Sequence, residues 1–159
     1  MAFAALGDGP RAWELTTMIN PANPATTPEA IDTYKAEPYV VAADIYAVEP
    51  HTGRGGWRWY TGSAGWMYRL ILESLLGLRL DVDRLHVTPN LPAHWDAFQV
   101  HYRYRETVYH ISVVQVRVDQ AGGRGQTRVT VDGVEQDAAS IPLVDDHREH
   151  TVEVSVPAP

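Results

Sequence analysis

The chain has 159 residues, 45% of them hydrophobic, which is enough apolar material for the core of one domain or of two small units. Its 13 basic and 20 acidic residues give a formal net charge of −7 without any cluster of Lys or Arg, which argues against a surface for nucleic acid or anionic lipid. The absence of cysteine excludes disulfides and thiolate metal sites and fits a reducing compartment.

The first segment predicts short helices separated by loops. Residues 3–6 have the pattern of a last helical turn and Gly7 that of its stop, so we expect the chain to begin inside a larger architecture. Asp8 then predicts the N-cap of a second helix that ends at Asn20-Pro21. Thr27-Pro28-Glu29 provides a cap, a first-turn proline and an acid for a third helix. No apolar run here approaches the ~20 residues that span a bilayer, and no basic secretory start precedes it.

Two apolar segments follow before residue 80. The segment YVVAADIY, residues 39–46, is apolar almost throughout, so we expect it to be buried as either helix or strand, which its periodicity does not distinguish. Residues 61–76 show the clearest helical pattern of the chain, and Gly77 is placed as the stop of that helix. Its predicted apolar face consists of Met67, Leu70, Ile71, Leu75 and Leu76.

After Arg79 the sequence changes to short β-rich runs separated by turn signals. Asp132-Gly133 predicts a two-residue hairpin, and the flexible residues 120–126 are interpreted as a hairpin loop. In residues 151–156 valines alternate with polar residues, as expected of a half-buried antiparallel strand. The pattern predicts an α+β chain with helices first and a small β-sheet unit second.

The junction between glycine-rich loop and helix is the first candidate site. The stretch HTGRGGWRWYTGSAGWMYRLILESLLGLR, residues 51–79, holds six of the twelve glycines. A helix N-terminus offers free N–H groups and partial positive charge, Gly62 lets an anion approach the backbone, and Thr61 or Ser63 adds a hydroxyl donor. These residues are compatible with a phosphate-sized site. An alternative is that Thr61 or Ser63 only caps the helix and the glycines only permit a tight loop.

Aromatic residues precede this helix start directly. Trp57, Trp59 and Tyr60 offer flat apolar surfaces of the kind that stack on the apolar faces of sugar rings. The alternative interpretation is that the tryptophans belong to the hydrophobic core. The sequence leaves both interpretations open.

The remaining polar groups are weaker candidates. His147-x-x-His150 with Asp145 and Asp146 has a spacing that matches no helical ligand pair, so we interpret it as a solvated turn and expect no metal site. The sequence contains no Ser-His-Asp signature and no Walker-type loop. One side of a predicted strand is interpreted as a solvent or interface face: His101, Arg103 and Arg105.

Four segments together resemble the C-terminal portion of the glycoside phosphorylases that include cellobiose and chitobiose phosphorylase. They look closest to the phosphorylase-like region of cyclic β-1,2-glucan synthases. The segments are TMINPAN, YKAEPYVVAADIY, residues 51–79 as quoted above, and LHVTPNLPAHWDAFQVHYRYRETVYHISV. The resemblance covers Leu6 to about Val114. It implies the end of an (α/α)6 toroid catalytic domain in residues 1–80 and a C-terminal antiparallel β-sandwich in residues 81–159.

The resemblance also implies a function and a set of site residues. The family cleaves a β-glycosidic bond by attack of inorganic phosphate, with inversion and with one Asp as general acid. Thr61 and Gly62 match the pair that holds the phosphate, whereas the general acid and most sugar-binding residues precede the matched segment. We therefore expect a fragment that needs the missing toroid segment, uses phosphate as co-substrate and no cofactor, and acts on a β-glucan or β-glucoside only within the full enzyme.

Two alternatives stay open. The chain is alternatively a non-catalytic carbohydrate-binding or structural module, with Trp57, Trp59 and Trp66 as sugar platforms or core. The segment itself is expected to be cytoplasmic, and the parent enzyme is either soluble or a membrane-attached synthase.

Overall fold

The computed structural model describes residues 1–116 and 126–158 of the chain. It divides into two compact units, Met1–Ile71 and Leu72–Pro159. The first contains helices and loops, and the second contains two β-sheets. The α+β class is thus confirmed, while a toroidal ring of helices stays a prediction. The predicted hairpin loop at 120–126 falls, except for its last residue, outside the described residues.

The helices of the first unit are short, and those that start at residues 9, 28 and 61 begin where the sequence predicts. They are α1 (Ala2–Ala5), α2 (Gly9–Ile19), a 3₁₀ turn (Asn23–Ala25), α3 (Pro28–Tyr34) and α4 (Thr61–Arg69). Asp8 caps α2 by accepting a hydrogen bond from the Arg11 N–H at 3.1 Å. Thr27 caps α3 by accepting from the Ala30 N–H at 3.2 Å. Both caps satisfy a backbone donor that helical hydrogen bonding leaves free.

The prediction that residues 39–46 form a buried helix or strand is wrong. The segment is loop with a single bridge between Ile45 and Gly55, and Tyr39 and Ile45 are 72% and 54% exposed. Only Val40 belongs to the core. The physical reason is that the segment forms backbone hydrogen bonds with residues 53–57. These bonds hold the two segments side by side, but no helix or sheet of the described residues packs over the exposed apolar side chains to bury them.

The predicted helix at 61–76 is present but changes its hydrogen-bonding pattern. It is α-helical through Arg69 and continues as a π-helix over Leu70–Leu75. Gly77 ends it with a left-handed φ of 69°, and a Cβ there would collide with the backbone of Thr88. Asn90 donates its N–H to the Leu75 carbonyl and its side-chain amide to the Ser74 carbonyl. These bonds satisfy acceptors at the helix end.

Within residues 72–116 and 126–158, eight strands form the two sheets of the second unit. In chain order they are β1 (Leu78–Asp81), β2 (Arg84–Val87), β3 (Ala97–Tyr104), β4 (Thr107–Val116), β5 (Arg128–Val131), β6 (Val134–Glu135), β7 (Ser140–Pro142) and β8 (Glu149–Pro157). The sheet orders are β1-β2-β7 and β3-β4-β8-β5-β6. Both sheets contribute to one apolar cluster, which includes Leu85, Val87, Ile111, Ile141 and Val154. A shared core between two sheets is the arrangement of a β-sandwich.

The larger sheet is mixed, which corrects the prediction of a purely antiparallel one. Strand β8 pairs parallel with β4, from Val108 opposite Glu149 to Val116 opposite Pro157. It pairs antiparallel with β5 on its other side. The alternation of residues 151–156 reports which face is buried but is the same for either strand direction, so the sequence does not reveal the parallel neighbour. The predicted Asp132-Gly133 turn joins β5 to β6, with φ of 49° and 81°.

Candidate functional site

Backbone hydrogen bonds pair two loop segments of the first unit that precede α4. The Ala43 N–H donates to the Trp57 carbonyl at 2.8 Å, and the Tyr46 N–H donates to the Arg54 carbonyl at 2.9 Å. The Asp44 carboxylate accepts from the Trp57 N–H at 2.9 Å. A Cβ at Gly56 would collide with this carboxylate, so glycine at this position leaves room for the Asp44 side chain to reach the Trp57 N–H.

The aromatic residues that follow project into solvent. Trp57 is 72% exposed, Trp59 64% and Tyr60 49%, so the alternative that these tryptophans are core residues is wrong. Trp59 has a left-handed φ of 69°, which is uncommon for a bulky side chain. Its ring meets Tyr39 edge-on with 6.0 Å between centroids. The turn at Trp59 thus presents aromatic surface next to the helix start.

Arg58 and Glu37 form an ion pair, and Trp59 also contacts this pair. The Arg58 Nε is 2.7 Å from a Glu37 carboxylate oxygen, and the Trp59 indole N–H donates to the other oxygen at 3.4 Å. A hydrogen bond at the Glu37 backbone, together with these two partners, lowers the pKa of the Glu37 carboxyl and outweighs its desolvation. Glu37 and residues 54–59 line an open cleft of about 350 Å³ together with Tyr46. The sequence patterns did not predict this ion pair. The available signals were the acid Glu37 before Pro38 and the base Arg58 between two tryptophans.

The start of α4 has no side-chain cap. Tyr60 is the N-cap residue, with extended backbone and no side-chain hydrogen bond to the first turn. Thr61 and Ser63 therefore do not cap the helix, and the cap-only alternative is wrong for this structure. A Cβ at Gly62 would meet nothing within 4 Å, so the space over this residue is open. The two candidate groups, Thr61-Gly62 and the exposed aromatics, are consecutive at this helix start.

The histidine motif of the second unit is a solvated turn only in part: His147 is exposed, whereas His150 belongs to a hydrogen-bonded cluster. His150 lies between the carboxylates of Asp132, at 2.6 Å, and Asp146, at 3.2 Å, and its ring stacks on Tyr109 at 4.9 Å. The hydrogen bond to Asp132, then that to Asp146, raises the pKa of His150 against its partial burial. Within residues 1–116 and 126–158, no three His, Asp or Glu side chains are grouped to hold a metal ion.

Two family models match consecutive parts of the chain. Residues 1–77 match the catalytic domain of the glycosyl hydrolase 94 superfamily, and residues 78–152 match the C-terminal domain of glycosyl hydrolase family 65. The resemblance to glycoside phosphorylases is confirmed.

None of the helices in the described residues has the length and hydropathy of a bilayer-spanning segment.

Individual relatives show the same similarity. The chain is 45% identical over 113 residues to a cyclic beta-(1,2)-glucan synthase of Rhizobium meliloti, which covers 71% of the chain and 4% of that protein. It is 39% identical over 114 residues to an N,N'-diacetylchitobiose phosphorylase of Vibrio furnissii, covering 71% of the chain and 14% of the relative. A solabiose phosphorylase of Paenibacillus borealis is 29% identical over 98% of the chain and 20% of its own length. The chain thus spans between 4% and 20% of these relatives.

Proposed function

We propose that this chain forms the C-terminal portion of an inverting β-glucoside phosphorylase or of a cyclic β-1,2-glucan synthase-type enzyme, in which Thr61 and Gly62 hold inorganic phosphate. The observation that carries the proposal is the uncapped start of α4, with open space over Gly62, inside the segment that matches a glycoside phosphorylase catalytic domain. The end of an (α/α)6 toroid in residues 1–80 and the β-sandwich domain in 81–159 belong to the same proposal.

The chemistry of the helix start supports phosphate as the ligand. The first-turn N–H groups are donors that the helix itself leaves unpaired, and the helix dipole favours negative charge beside them. The Thr61 hydroxyl adds a donor, and the missing side chain of Gly62 lets an oxyanion reach the backbone. Arg58 is engaged by Glu37, so its charge is partly neutralised.

The exposed aromatic rings give the neighbouring sugar subsite. Trp57, Trp59 and Tyr60 are exposed and precede Thr61 directly in the chain, and a sugar ring buries its axial C–H groups against aromatic faces. The Glu37 carboxylate accepts from the Trp59 indole, which fixes the orientation of this ring before a ligand arrives. A cytoplasmic location of the segment completes the proposal.

The general acid comes from the toroid segment that precedes these residues in the family. The 159-residue chain by itself is therefore expected to be inactive, because phosphate displaces an alkoxide from a glycoside only slowly when no acid protonates the leaving oxygen. Such acid help contributes a factor of ~10² to 10⁴. Its partners in the full enzyme are the toroid segment, phosphate and a β-glucan or β-glucoside.

Release of sugar 1-phosphate tests this assignment. The 159-residue chain and a version extended at its N-terminus by the toroid segment are incubated with β-1,2-glucan or cellobiose and phosphate. We expect product from the extended protein only, and only when phosphate is present. Product release by the short chain, abolished by a substitution within it, would overturn the assignment.

One observation favours a second candidate, a non-catalytic carbohydrate-binding module. Trp66, like Trp57 and Trp59, is exposed, with 59% of its surface accessible, so three indoles are available as sugar platforms. Quenching of tryptophan fluorescence by soluble β-glucan without phosphate decides between the two. Tight phosphate-independent binding, lost in Trp57→Ala and unaffected by Thr61→Ala, would favour the binding module.

A further inference from the structure

Two histidines face each other on the larger sheet of the second unit. His101 of β3 and His110 of β4 are direct cross-strand partners. Their Nδ1 atoms are 2.6 Å apart, and their rings meet edge to face with 4.8 Å between centroids. Both side chains lie on the exposed face of the sheet, which for His101 is the solvent or interface face predicted from the sequence. The nitrogens therefore converge on one point that solvent can reach.

A carboxylate forms a hydrogen bond with the Nε2 atom of His110, the ring nitrogen that does not face His101. A Glu149 oxygen on β8 lies 3.1 Å from His110 Nε2. Since a carboxylate accepts, Nε2 carries the proton of neutral His110, and its Nδ1 carries a lone pair directed at His101. A carboxylate on the remote nitrogen is the usual outer partner of a metal-bound histidine, because it fixes the tautomer and strengthens the ligand.

We propose that His101 and His110 bind a divalent transition-metal ion of the zinc class, with Glu149 as the outer partner of His110. The metal takes the place of the proton between the two Nδ1 atoms. His101 then carries its own proton on Nε2, so both rings stay neutral, each gives one lone pair to the metal, and no net proton is released. Water supplies the other ligands, because no third His, Asp or Glu of the described residues joins the pair.

The geometry needs only a small adjustment. Zinc–nitrogen bonds of about 2.0–2.1 Å at a tetrahedral angle place two ligand nitrogens about 3.3 Å apart. The two Nδ1 atoms must therefore separate from 2.6 Å by roughly 0.7 Å, which small rotations of exposed side chains provide. Imidazole suits zinc, copper and nickel, whereas Mg²⁺ prefers oxygen ligands. Metal binding by the two histidines requires no phosphate and does not depend on the proposed function.

Calorimetric titration of the untagged 159-residue chain with Zn²⁺ tests the proposal. We expect one saturable site for Zn²⁺ and none for Mg²⁺. His101→Ala and His110→Ala each lower the Zn²⁺ affinity at least tenfold, and Glu149→Gln lowers it by about 10- to 100-fold. The matched control is His94→Ala, an exposed loop histidine outside the pair, which leaves the affinity unchanged.

Nuclear magnetic resonance of the histidine rings gives a second measurement that needs no variant. On addition of Zn²⁺ to the wild-type chain, the ring carbon signals of His101 and His110 shift together while those of His94 and His150 stay in place. The proposal is overturned if the His101→Ala/His110→Ala double variant, folded by circular dichroism, binds Zn²⁺ as the wild type does. Binding that His147→Ala abolishes, or the absence of a saturable site, overturns it as well.

Discussion

At the scale of single residues, the glycines before and within α4 differ in the space around them. A side chain at Gly56 would occupy the position of the Asp44 carboxylate, which accepts the Trp57 N–H. Gly65, inside α4, has open space around it. Two glycines of the same segment thus differ in what they do, and composition alone does not reveal the difference.

Replacement of these two glycines separates the roles. Gly56→Ala is expected to lower the free energy of unfolding of the first unit by about 1–3 kcal/mol, because the Cβ displaces the Asp44 carboxylate from its hydrogen bond with the Trp57 N–H. Gly65→Ala should be neutral or stabilise by up to about 1 kcal/mol, since alanine favours the helix. Thermal melting followed by tryptophan fluorescence measures both. Equal melting temperatures for the two variants would contradict the role of Gly56.

The cluster at His150 gives the second unit a predictable pH dependence. Its hydrogen bonds raise the pKa of His150, first through Asp132, and lower the pKa of Asp132, first through His150. The stability that the raised His150 pKa contributes is complete below its ordinary value of about 6.5 and is lost as the pH rises through the folded value. The contribution of Asp132 is present above about pH 3.9 and is lost as the pH falls through the lowered value.

His150→Gln should therefore cost more stability at about pH 5.5 than at about pH 9. The glutamine keeps a hydrogen-bonding side chain but has no charge to gain, so the difference isolates the charged pair. Melting temperatures of wild type, His150→Gln and the exposed control His94→Gln are compared at both pH values. A destabilisation that is the same at both pH values would show that packing on Tyr109 alone is important.

At the scale of elements, β8 holds the larger sheet together. It lies between β4 and β5, and its valines Val152, Val154 and Val156 are buried while Glu153 is exposed. The alternation of these residues predicts the buried face correctly. It does not predict the parallel neighbour, because direction depends on the route of the chain through β7 in the other sheet.

Substitutions on the two faces of β8 should differ sharply. Val154→Ala removes two methyl groups from a position that is 1% exposed, so we expect a loss of roughly 2 kcal/mol in unfolding free energy. Glu153→Ala on the opposite face should change it by less than about 0.5 kcal/mol. Chemical denaturation followed by circular dichroism measures both. Similar midpoints for the two variants would place Val154 outside a tightly packed core.

At the scale of the whole molecule, sequence patterns predict the helices and strands better than they predict burial. The caps at Asp8 and Thr27 and the turn at Asp132-Gly133 are local chemistry, and the structure confirms each. Residues 39–46 look buried because they are apolar, yet covering them requires neighbours that local patterns do not encode. The same limit applies to Glu37 and Arg58, which are 21 residues apart and meet only through the fold.

In the candidate site, too, the sequence predicts which residues are neighbours but not which of them caps the helix. The three aromatic residues and the Thr61-Gly62 pair all lie within residues 57–62, so the sequence alone predicts that they lie close together. Whether Thr61 caps the helix is decided by backbone geometry, which places Tyr60 at the cap position. Thr61 is therefore free of a capping role in the structure, and its hydroxyl is available for a ligand.

The phosphate KM of Thr61→Ala, measured in the N-terminally extended enzyme together with its melting temperature, tests the central claim most directly. Loss of one hydrogen bond from Thr61 to a charged phosphate costs about 1.5–3 kcal/mol, so the KM should rise roughly 10- to 100-fold while sugar affinity and melting temperature change little. A fall of several degrees in melting temperature with an unchanged phosphate KM would contradict the account, because Thr61 would then support the helix and not the ligand.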